Sequence, residues 1–341
     1  MRLLFLGFGT VGQGLAELLL AGRDELAGRY GFDWTVTGIA DTLKGSAHDP
    51  AGIDLAKALA LAAAGEPLAA LDRSGKGWDA LAMARHAEAD VLLEATYTDI
   101  RTGEPATSHI RAALERGVHV VTTNKGPLAL HYHDLAALAA AHDAEFLFEG
   151  TVMSGTPVLN LVREALAGAG VIEMRGILNG TTNYILTRME EGLSYEDALA
   201  KAQALGYAEA VPDADVLGWD ALAKVTILAN VAFGAALKPA DSPCEGITKI
   251  AAADIARAKA EGKRYKLIGR VWRDGGRVRA EVAPRLVDLG EPLAGVMGAT
   301  NALAIATDAL GEVTVVGPGA GKAQTGFAML ADLLTIVRRR A

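Results

Sequence analysis

The sequence predicts an α/β protein in which a doubly wound parallel sheet is followed by a second, α+β domain. The chain opens with an apolar strand, a glycine-rich turn and an apolar helix. Strand and helix patterns then alternate to about residue 149, as in a parallel sheet with crossover helices. After residue 171 the alternation is lost, which is typical of an antiparallel or mixed sheet with helices on one face. We expect a dinucleotide-binding domain over 1–143 plus 320–341, and a substrate-binding and dimerisation domain over 144–319.

The composition argues against several classes of protein. The 341 residues suffice for two domains, and the net charge of −8 disfavours a nucleic-acid or anionic-membrane partner. Cys244 is the only cysteine, so no internal disulfide can form. The chain shows neither a signal-peptide pattern nor an apolar run of membrane-spanning length. We therefore expect a cytoplasmic protein that binds a small-molecule substrate, with no nucleic-acid and no membrane partner.

The first strand, Leu3 to Leu6, runs directly into a G-x-G-x-x-G turn, and an apolar helix continues through Leu20. In this motif the first glycine permits the turn, the second lets the backbone approach a pyrophosphate, and the third allows close packing of helix and strand. The phosphates would lie at the positive end of the helix dipole. The motif therefore predicts a Rossmann domain that binds a dinucleotide. The alternative is that the glycines serve only the structure of the turn. The predicted cofactor-binding residues are Gly7, Gly9, Thr10, Val11 and Gly12.

The second strand, Thr35 to Ala40, ends at an acid, Asp41. A carboxylate there accepts hydrogen bonds from the adenosine ribose and disfavours a 2′-phosphate, which favours NAD over NADP. Lys44 follows closely and could offset that preference, and Asp41 could instead simply cap a turn. Both readings stay open at the level of sequence.

Two further strands end in polar residues. Val91 to Glu94 is followed by Thr96, and Val118 to Thr122 is followed by Lys125. Because ligands bind at the carboxyl ends of strands in doubly wound sheets, Thr96 and Lys125 are candidate cofactor or catalytic residues.

A late stretch, residues 206–224, concentrates ionisable groups among apolar neighbours. Glu209, Asp215, Asp220 and Lys224 fall within sixteen residues, and the last two are four apart, so they share a helix face. An apolar helix follows Lys224. A lysine held by an aspartate at the edge of such a helix is a candidate proton carrier. A solvated, charged helix start is the alternative.

Together the motifs resemble homoserine dehydrogenase, over essentially the whole chain. The most specific marker is the spacing of acids and lysine in residues 206–224. The other markers are the glycine turn, Val121-Thr122-Thr123-Asn124-Lys125, the loop from Glu149 to Pro157, and Asn179-Gly180-Thr181-Thr182-Asn183-Tyr184-Ile185. The chain begins at its first strand and ends one helix after Gly321, so we expect the short form, without an appended kinase or regulatory domain and without threonine feedback through one.

The resemblance implies interconversion of L-homoserine and L-aspartate 4-semialdehyde with NAD or NADP, in threonine, methionine and isoleucine biosynthesis. It implies Lys224 as general acid/base, Asp220 as its positioning partner and Lys125 near the nicotinamide. Glu209, with Tyr207 and Asp215, would hold the substrate amino group, and backbone near Thr181 would help with its carboxylate. Burial or a second cation lowers the pKa of such a lysine toward neutrality.

The resemblance also implies further contacts. Gly321 would lie near the cofactor, and a homodimer would form through the sheet of the second domain. A bound Na⁺ or K⁺ would be held by backbone carbonyls of Glu149, Val152, Ser154 and Thr156.

Two alternative functions, another dehydrogenase of amino-acid metabolism and a non-catalytic sensor, fit the sequence less well. An aspartate-semialdehyde dehydrogenase would need a cysteine nucleophile, and Cys244 lacks a strand-end or helix-start setting. A non-catalytic nicotinamide-sensing module would need no Asp220–Lys224 pair.

Overall fold

The computed structural model describes residues 1–97 and 99–340. These residues form two compact units, the first from residues 1–155 and 321–340 and the second from 156–320. The binding roles predicted for the two domains stay predictions.

The strands and helices are numbered here in chain order. The strands are β1 Arg2–Leu6, β2 Thr35–Asp41, β3 Gly45–Ile53, β4 Val91–Glu94, β5 His119–Thr122, β6 Phe146–Leu147, β7 Val171–Ile177, β8 Lys263–Asp274, β9 Arg277–Asp288, β10 Thr300–Thr307 and β11 Gly311–Pro318. The α-helices are α1 Thr10–Ala21, α2 Arg23–Tyr30, α3 Leu55–Ala64, α4 Ala80–His86, α5 Ala106–Leu114, α6 Lys125–Ala141, α7 Gly180–Glu190, α8 Tyr195–Ala204, α9 Asp213–Val216, α10 Trp219–Phe233, α11 Ala252–Ala260 and α12 Lys322–Arg340.

The first unit is built on a six-stranded sheet in the order β3-β2-β1-β4-β5-β6. All neighbours are parallel except β3, which pairs antiparallel with β2 at the edge. The strand order reverses between β1 and β4, the position where doubly wound sheets open a crevice for ligands. The sheet is almost free of solvent exposure along β1, β4 and β5, as expected for a sheet covered on both faces.

The last helix, α12, packs against α1 in the first unit. A β-carbon on Gly14 would lie 2.3 Å from the carbonyl oxygen of Lys322, and one on Gly326 would lie 2.6 Å from the backbone nitrogen of Leu15. The helices cross so closely that only glycine fits at both positions. The C-terminal segment therefore completes the core of the first unit.

The second unit is built on a five-stranded sheet in the order β11-β10-β7-β8-β9, with all neighbouring strands antiparallel. Helices α7 and α10 pack against it. Gly269 in β8 shows how close α10 lies, because a β-carbon there would meet a methyl group of Val225 at 2.4 Å. The predicted fold class is confirmed, and the second sheet, expected to be antiparallel or mixed, is antiparallel.

Three elements differ from their sequence patterns. Strand β3 was not predicted; it carries glycine, proline and aspartate, which an edge strand tolerates. Helix α2 was not predicted. The alanine-rich run from Asp134 to His142 predicts a helix, and α6 begins earlier, at Lys125. Pro127 permits this because it lies in the first turn, where no N–H is needed.

Over residues 1–97 and 99–340, no helix is both long and apolar enough to cross a membrane.

Candidate active site

The glycine turn of the first unit has the geometry that its motif requires. Gly7 has φ +90°, and a β-carbon there would lie 2.3 Å from the carbonyl oxygen of Ala95. A β-carbon on Gly12 would lie 2.4 Å from the carbonyl oxygen of Gly7. Gly9 differs, since a β-carbon there would meet no atom within 4 Å. The space before the first N–H groups of α1 is therefore open, which suits a dinucleotide pyrophosphate.

Asp41 is bound into this turn. Its carboxylate accepts hydrogen bonds from the N–H groups of Phe8 (2.8 Å), Leu43 and Lys44 (3.0 Å each), and the Lys44 ammonium lies 3.6 Å away. Burial opposes ionisation, but the Phe8, Lys44 and Leu43 donors and the Lys44 charge together lower the pKa of Asp41. Asp41 thus caps a turn, as one reading proposed, and presents an ionised group beside the glycine turn. Its contact with a ribose stays a prediction.

The ends of β4 and β5 meet around a carboxylate that sequence reasoning did not single out. Glu94 is 0% exposed and accepts hydrogen bonds from Thr96 and from the side chain of Asn124. Lys125 follows Asn124 as the first residue of α6 and is half-buried. The structure thus brings Thr96 close to the residue that precedes Lys125. Asn124 Nδ2 donates to the carbonyl oxygen of Thr96 at 2.9 Å.

In the second unit, Lys224 is buried, at 7% exposure, in the second turn of α10. Its ammonium donates to Asp220 Oδ2 at 2.8 Å and to the carbonyl oxygen of Leu178 at 2.6 Å. The pairing expected from the four-residue spacing is present. The charged helix start is not a solvated surface.

Asn179 joins this pair to a second carboxylate. Its Nδ2 donates to Asp220 Oδ2 at 2.9 Å and to Asp215 Oδ1 at 2.7 Å, while its Oδ1 accepts the N–H of Thr182 and so caps α7. Burial, and next the repulsion from Asp220, raise the pKa of Asp215, whereas Asn179 and Lys224 oppose the rise. The result is a compact polar cluster of two carboxylates, one carboxamide and one ammonium at the starts of α7 and α10.

Three other predicted substrate residues lie in or beside the loop before α9. Thr181 Oγ1 donates to the carbonyl oxygen of Tyr207 at 2.6 Å, which ties this loop to the first turn of α7. The Tyr207 ring lies 5.1 Å from that of Tyr184 and is exposed. Glu209 is also exposed, and its carbonyl oxygen accepts a hydrogen bond from Gln203 at 3.0 Å. The loop thus presents Glu209 to solvent, and the described hydrogen bonds involve its backbone.

The residues of the predicted cation site are buried. Glu149, Val152 and Ser154 belong to the first unit, and Thr156 to the second. Met153 and Ser154 both have left-handed backbone, with φ +57° and +55°, so the loop turns sharply there. In the described part of the chain, His, Cys, Asp and Glu side chains form no group of three or more that could hold a metal ion. Gly321, with φ +137°, directly precedes α12.

Asn179 and Glu94 are the functional candidates that the sequence analysis missed. Asn179 was read only as part of a motif, although an asparagine before a helix is a typical N-cap. Glu94 gave a signal too, because a carboxylate that ends the run Val-Leu-Leu must be buried if the strand is.

Comparison with known proteins gives one family over both units. A family model described as homoserine dehydrogenase, NAD binding domain, matches residues 7–149, and one described as homoserine dehydrogenase matches residues 157–334. The NAD(+)-dependent homoserine dehydrogenase of Pseudomonas canavaninivorans is 46% identical over 98% of this chain and 96% of its own. The homoserine dehydrogenase of Methanocaldococcus jannaschii is 40% identical over 98% of each chain.

Solved structures similar to this chain belong to the same family. A hyperthermophilic archaeal homoserine dehydrogenase in complex with NADPH has a TM-score of 0.83 and 30% identity, covering 99% of this chain and 98% of that one. The homoserine dehydrogenase from Thiobacillus denitrificans has a TM-score of 0.85 and 32% identity, covering 100% of this chain and 74% of that one. These matches confirm the resemblance read from the motifs: the chain belongs to the homoserine dehydrogenase family of NAD(P)-dependent oxidoreductases.

Proposed function

We propose that this chain interconverts L-homoserine and L-aspartate 4-semialdehyde and that Lys224 carries the proton. The observation that supports this most is the buried cluster of Lys224, Asp220, Asn179 and Asp215. A buried ammonium held by one carboxylate and one carbonyl is oriented, and it is surrounded by groups that suit an amino-acid substrate. The pathway is then that of threonine, methionine and isoleucine.

Lys224 has three N–H donors, and two of them bind Asp220 and the carbonyl oxygen of Leu178. We assign the third to the substrate oxygen. During aldehyde reduction Lys224 donates a proton to that oxygen as alkoxide character develops, and during alcohol oxidation it accepts one. The bound dinucleotide supplies the hydride donor or acceptor. Asp220 orients the ammonium, and we assign Lys125 to the nicotinamide side of the first unit.

Substrate recognition follows from charge. The substrate ammonium requires acids, and we assign Asp215 and Glu209 to it, with Tyr207 beside them. Substrate binding would also lower the pKa of Asp215, because a cation beside this buried carboxyl favours its ionised form. The substrate carboxylate is assigned to the N-terminus of α7 at Thr181, where the helix dipole favours an anion.

The cofactor is assigned as NAD in preference to NADP. Asp41 is ionised beside the glycine turn, and a carboxylate there repels a 2′-phosphate. Lys44, 3.6 Å from Asp41, is the group that could lessen this preference. A family relative is NAD(+)-dependent and a structural neighbour binds NADPH, so the family as a whole does not decide the matter.

A homodimer through the sheet of the second unit is proposed on charge. A groove of about 440 Å³ on this sheet is lined by the three arginines Arg175, Arg270 and Arg285 and the three glutamates Glu173, Glu281 and Glu291. These six form three ion pairs within the chain, Arg175–Glu291, Arg270–Glu173 and Arg285–Glu281, so the face carries little net charge and two copies of it can approach without repulsion in a two-fold interface. The molar mass from light scattering tests this, since a monomer at micromolar concentration would contradict it.

Two smaller assignments complete the proposal. We place the protein in the cytoplasm, because its one cysteine, Cys244, is a free thiol. We assign a Na⁺ or K⁺ to backbone carbonyls of Glu149, Val152, Ser154 and Thr156, where it would stabilise the tight turn at Met153. Unfolding temperatures in sodium, potassium and tetramethylammonium salts test this assignment, which predicts the lowest value in the last.

The decisive experiment is the initial rate of nicotinamide reduction with L-homoserine at mildly alkaline pH, measured separately with NAD⁺ and NADP⁺. We expect a homoserine-dependent rate and a larger kcat/KM with NAD⁺. Asp41→Ser should lower the ratio of kcat/KM with NAD⁺ to kcat/KM with NADP⁺ by about tenfold. That factor corresponds to the loss of one charge interaction of about 1.4 kcal/mol.

The matched control is Asp72→Ser. Asp72 is another turn carboxylate of the first unit, and it binds the backbone N–H groups of His48 and Gly75. It should leave the cofactor ratio unchanged. If folded protein that binds dinucleotide shows no rate with either cofactor, the substrate assignment is wrong.

A further inference from the structure

Glu94 is a carboxylate with no exposed surface, at the end of the central strand β4. Its Oε1 accepts hydrogen bonds from the backbone N–H (3.2 Å) and the hydroxyl of Thr96. Its Oε2 accepts from the hydroxyl of Thr122 (3.3 Å) and from Asn124 Nδ2. His109 Nδ1, also buried, lies 3.5 Å from Oε1. One side chain thus links the ends of β4 and β5.

Asn124 shows what this link controls. It occupies the N-cap position of α6, yet its side chain does not cap that helix. Its Nδ2 instead donates to Glu94 and, at 2.9 Å, to the carbonyl oxygen of Thr96. The first residue of α6 is Lys125. Glu94 therefore sets the backbone positions of Thr96 and of the residue before Lys125 at the same time.

A buried carboxylate is costly, and a strand end in a covered parallel sheet does not need one. This one lies at the carboxyl end of β4, next to the point between β1 and β4 where the strand order reverses and ligands bind. The adenosine half of a dinucleotide is accounted for elsewhere, by the glycine turn and Asp41 on β1 and β2.

We propose that Glu94 is a positioning residue for the nicotinamide half of the cofactor, acting through Thr96 and Asn124. This inference rests on the proposed function, because it takes Thr96 and Lys125 to be on the nicotinamide side. It adds a group that contacts neither cofactor nor substrate but determines where the groups assigned to that contact lie.

The test compares two ligands that differ in the nicotinamide. NADH carries both halves of the dinucleotide, whereas ADP-ribose lacks the nicotinamide ring. Glu94→Gln keeps the size of the side chain but offers one acceptor and one donor. The donor must face either the Thr96 N–H or the Asn124 amide, so one of the two links is lost. We expect the Kd of NADH, measured by calorimetry, to rise about tenfold and that of ADP-ribose to stay within about twofold.

The matched control is Thr37→Val. Thr37 is also 0% exposed, lies on β2, which β1 separates from β4, and donates its hydroxyl to the carbonyl oxygen of Glu88 at 2.7 Å. It should lower the unfolding temperature without changing either Kd. If Glu94→Gln does not fold, Asn124→Ala removes one donor of the same network and should separate the two ligands in the same direction.

A parallel loss of affinity for both ligands would overturn the proposal and leave Glu94 as a general support of the sheet. Unchanged affinity for both would overturn it as well. Binding of NADH by the unaltered protein is measured in the same series, so a failure of cofactor binding as such is distinguished from a failure of the role of Glu94.

Discussion

Two lysines of the second unit are almost completely buried, and their surroundings differ. Lys224, 7% exposed, pairs with Asp220. Asn179 donates hydrogen bonds to both Asp220 and Asp215 and so links the pair to a second carboxylate. Lys266, 1% exposed, donates to Asn183 Oδ1 at 2.9 Å and to the carbonyl oxygen of Val296, and lies 3.6 Å from the sulfur of Met297. Burial, and next the charge of Arg264, lower the pKa of Lys266 to about 8, while Glu190 opposes the change.

The difference teaches that burial alone does not make a lysine a proton carrier. The three described partners of the Lys266 ammonium are neutral, and through them it ties the segment before β10 to α7 and β8. Lys224 has one neutral partner, the carbonyl oxygen of Leu178, and one carboxylate partner, Asp220, and it belongs to a cluster of acids able to hold an amino-acid substrate. The three predictions below test this contrast, in order of their expected effect on turnover.

The largest effect is expected for Lys224→Met. Methionine keeps the apolar stem but removes the proton, and loss of a general acid/base lowers kcat by about 100- to 10,000-fold. The Kd of NADH should stay within about twofold, because Lys224 belongs to the second unit and we assign the dinucleotide to the first. Steady-state rates with homoserine and calorimetric titration with NADH measure the two quantities.

The control for this variant is Lys249→Met. Lys249 also pairs with an acid four residues earlier, Glu245, at 3.3 Å, but both side chains are exposed. Its loss should change neither quantity. Near-normal turnover of Lys224→Met would remove Lys224 from the mechanism.

The second prediction concerns Asp215→Asn, which keeps the shape of the side chain. Loss of a charge-assisted hydrogen bond to the substrate ammonium should raise the KM for homoserine about 10- to 100-fold.

The contribution of Asp215 to stability should change with pH in the opposite sense from that of a surface carboxylate. Because folding raises the pKa of Asp215, its contribution to stability is present below the unfolded value, about 3.9, and is lost as the pH rises through the folded value.

The unfolding temperature of Asp215→Asn, relative to the unaltered protein, should therefore increase from pH 4 to pH 7. A decrease over that range would show that Asp215 is an ordinary stabilising carboxylate. An unchanged KM would remove it from substrate binding.

The same contrast marks what sequence could predict. The glycine turn was predictable because its motif is local in sequence, with Gly7, Gly9 and Gly12 inside six residues directly after the first strand. The contact that excludes a side chain at Gly7 comes from Ala95 and could not be read from that motif. The Asp220–Lys224 pair was predictable because helical spacing fixes it. Asn179 was not, because its bonds to Asp215 and Asp220 span 36 and 41 residues of chain.

Burial was the other limit. Lys266 belongs to a strand that mixes basic and apolar residues, and nothing in that pattern separates it from Arg264 or Arg270 on the same strand. Only the segment that covers it before β10 makes it interior. For Glu94 the burial could be read from the strand pattern but its partners could not, since Thr122 belongs to another strand, β5, and Asn124 lies just before α6.

The smallest effect on turnover is expected for Lys266→Met, which should leave kcat and KM within about twofold, because Lys266 has no assigned role in the reaction. Its effect is on stability. The pKa of Lys266 is about 8 in the folded protein and 10.5 for an unperturbed lysine, so between these values the unfolded chain binds more protons and stability rises with pH. The rise is at most about 3 kcal/mol, and Lys266→Met should remove it. Urea unfolding at pH 7.5, 9 and 10 measures the slope, with Lys249→Met as the exposed control. Equal slopes for Lys266→Met and the unaltered protein would show that Lys266 is not held as a costly buried cation, and a large fall in kcat would erase the distinction between the two lysines.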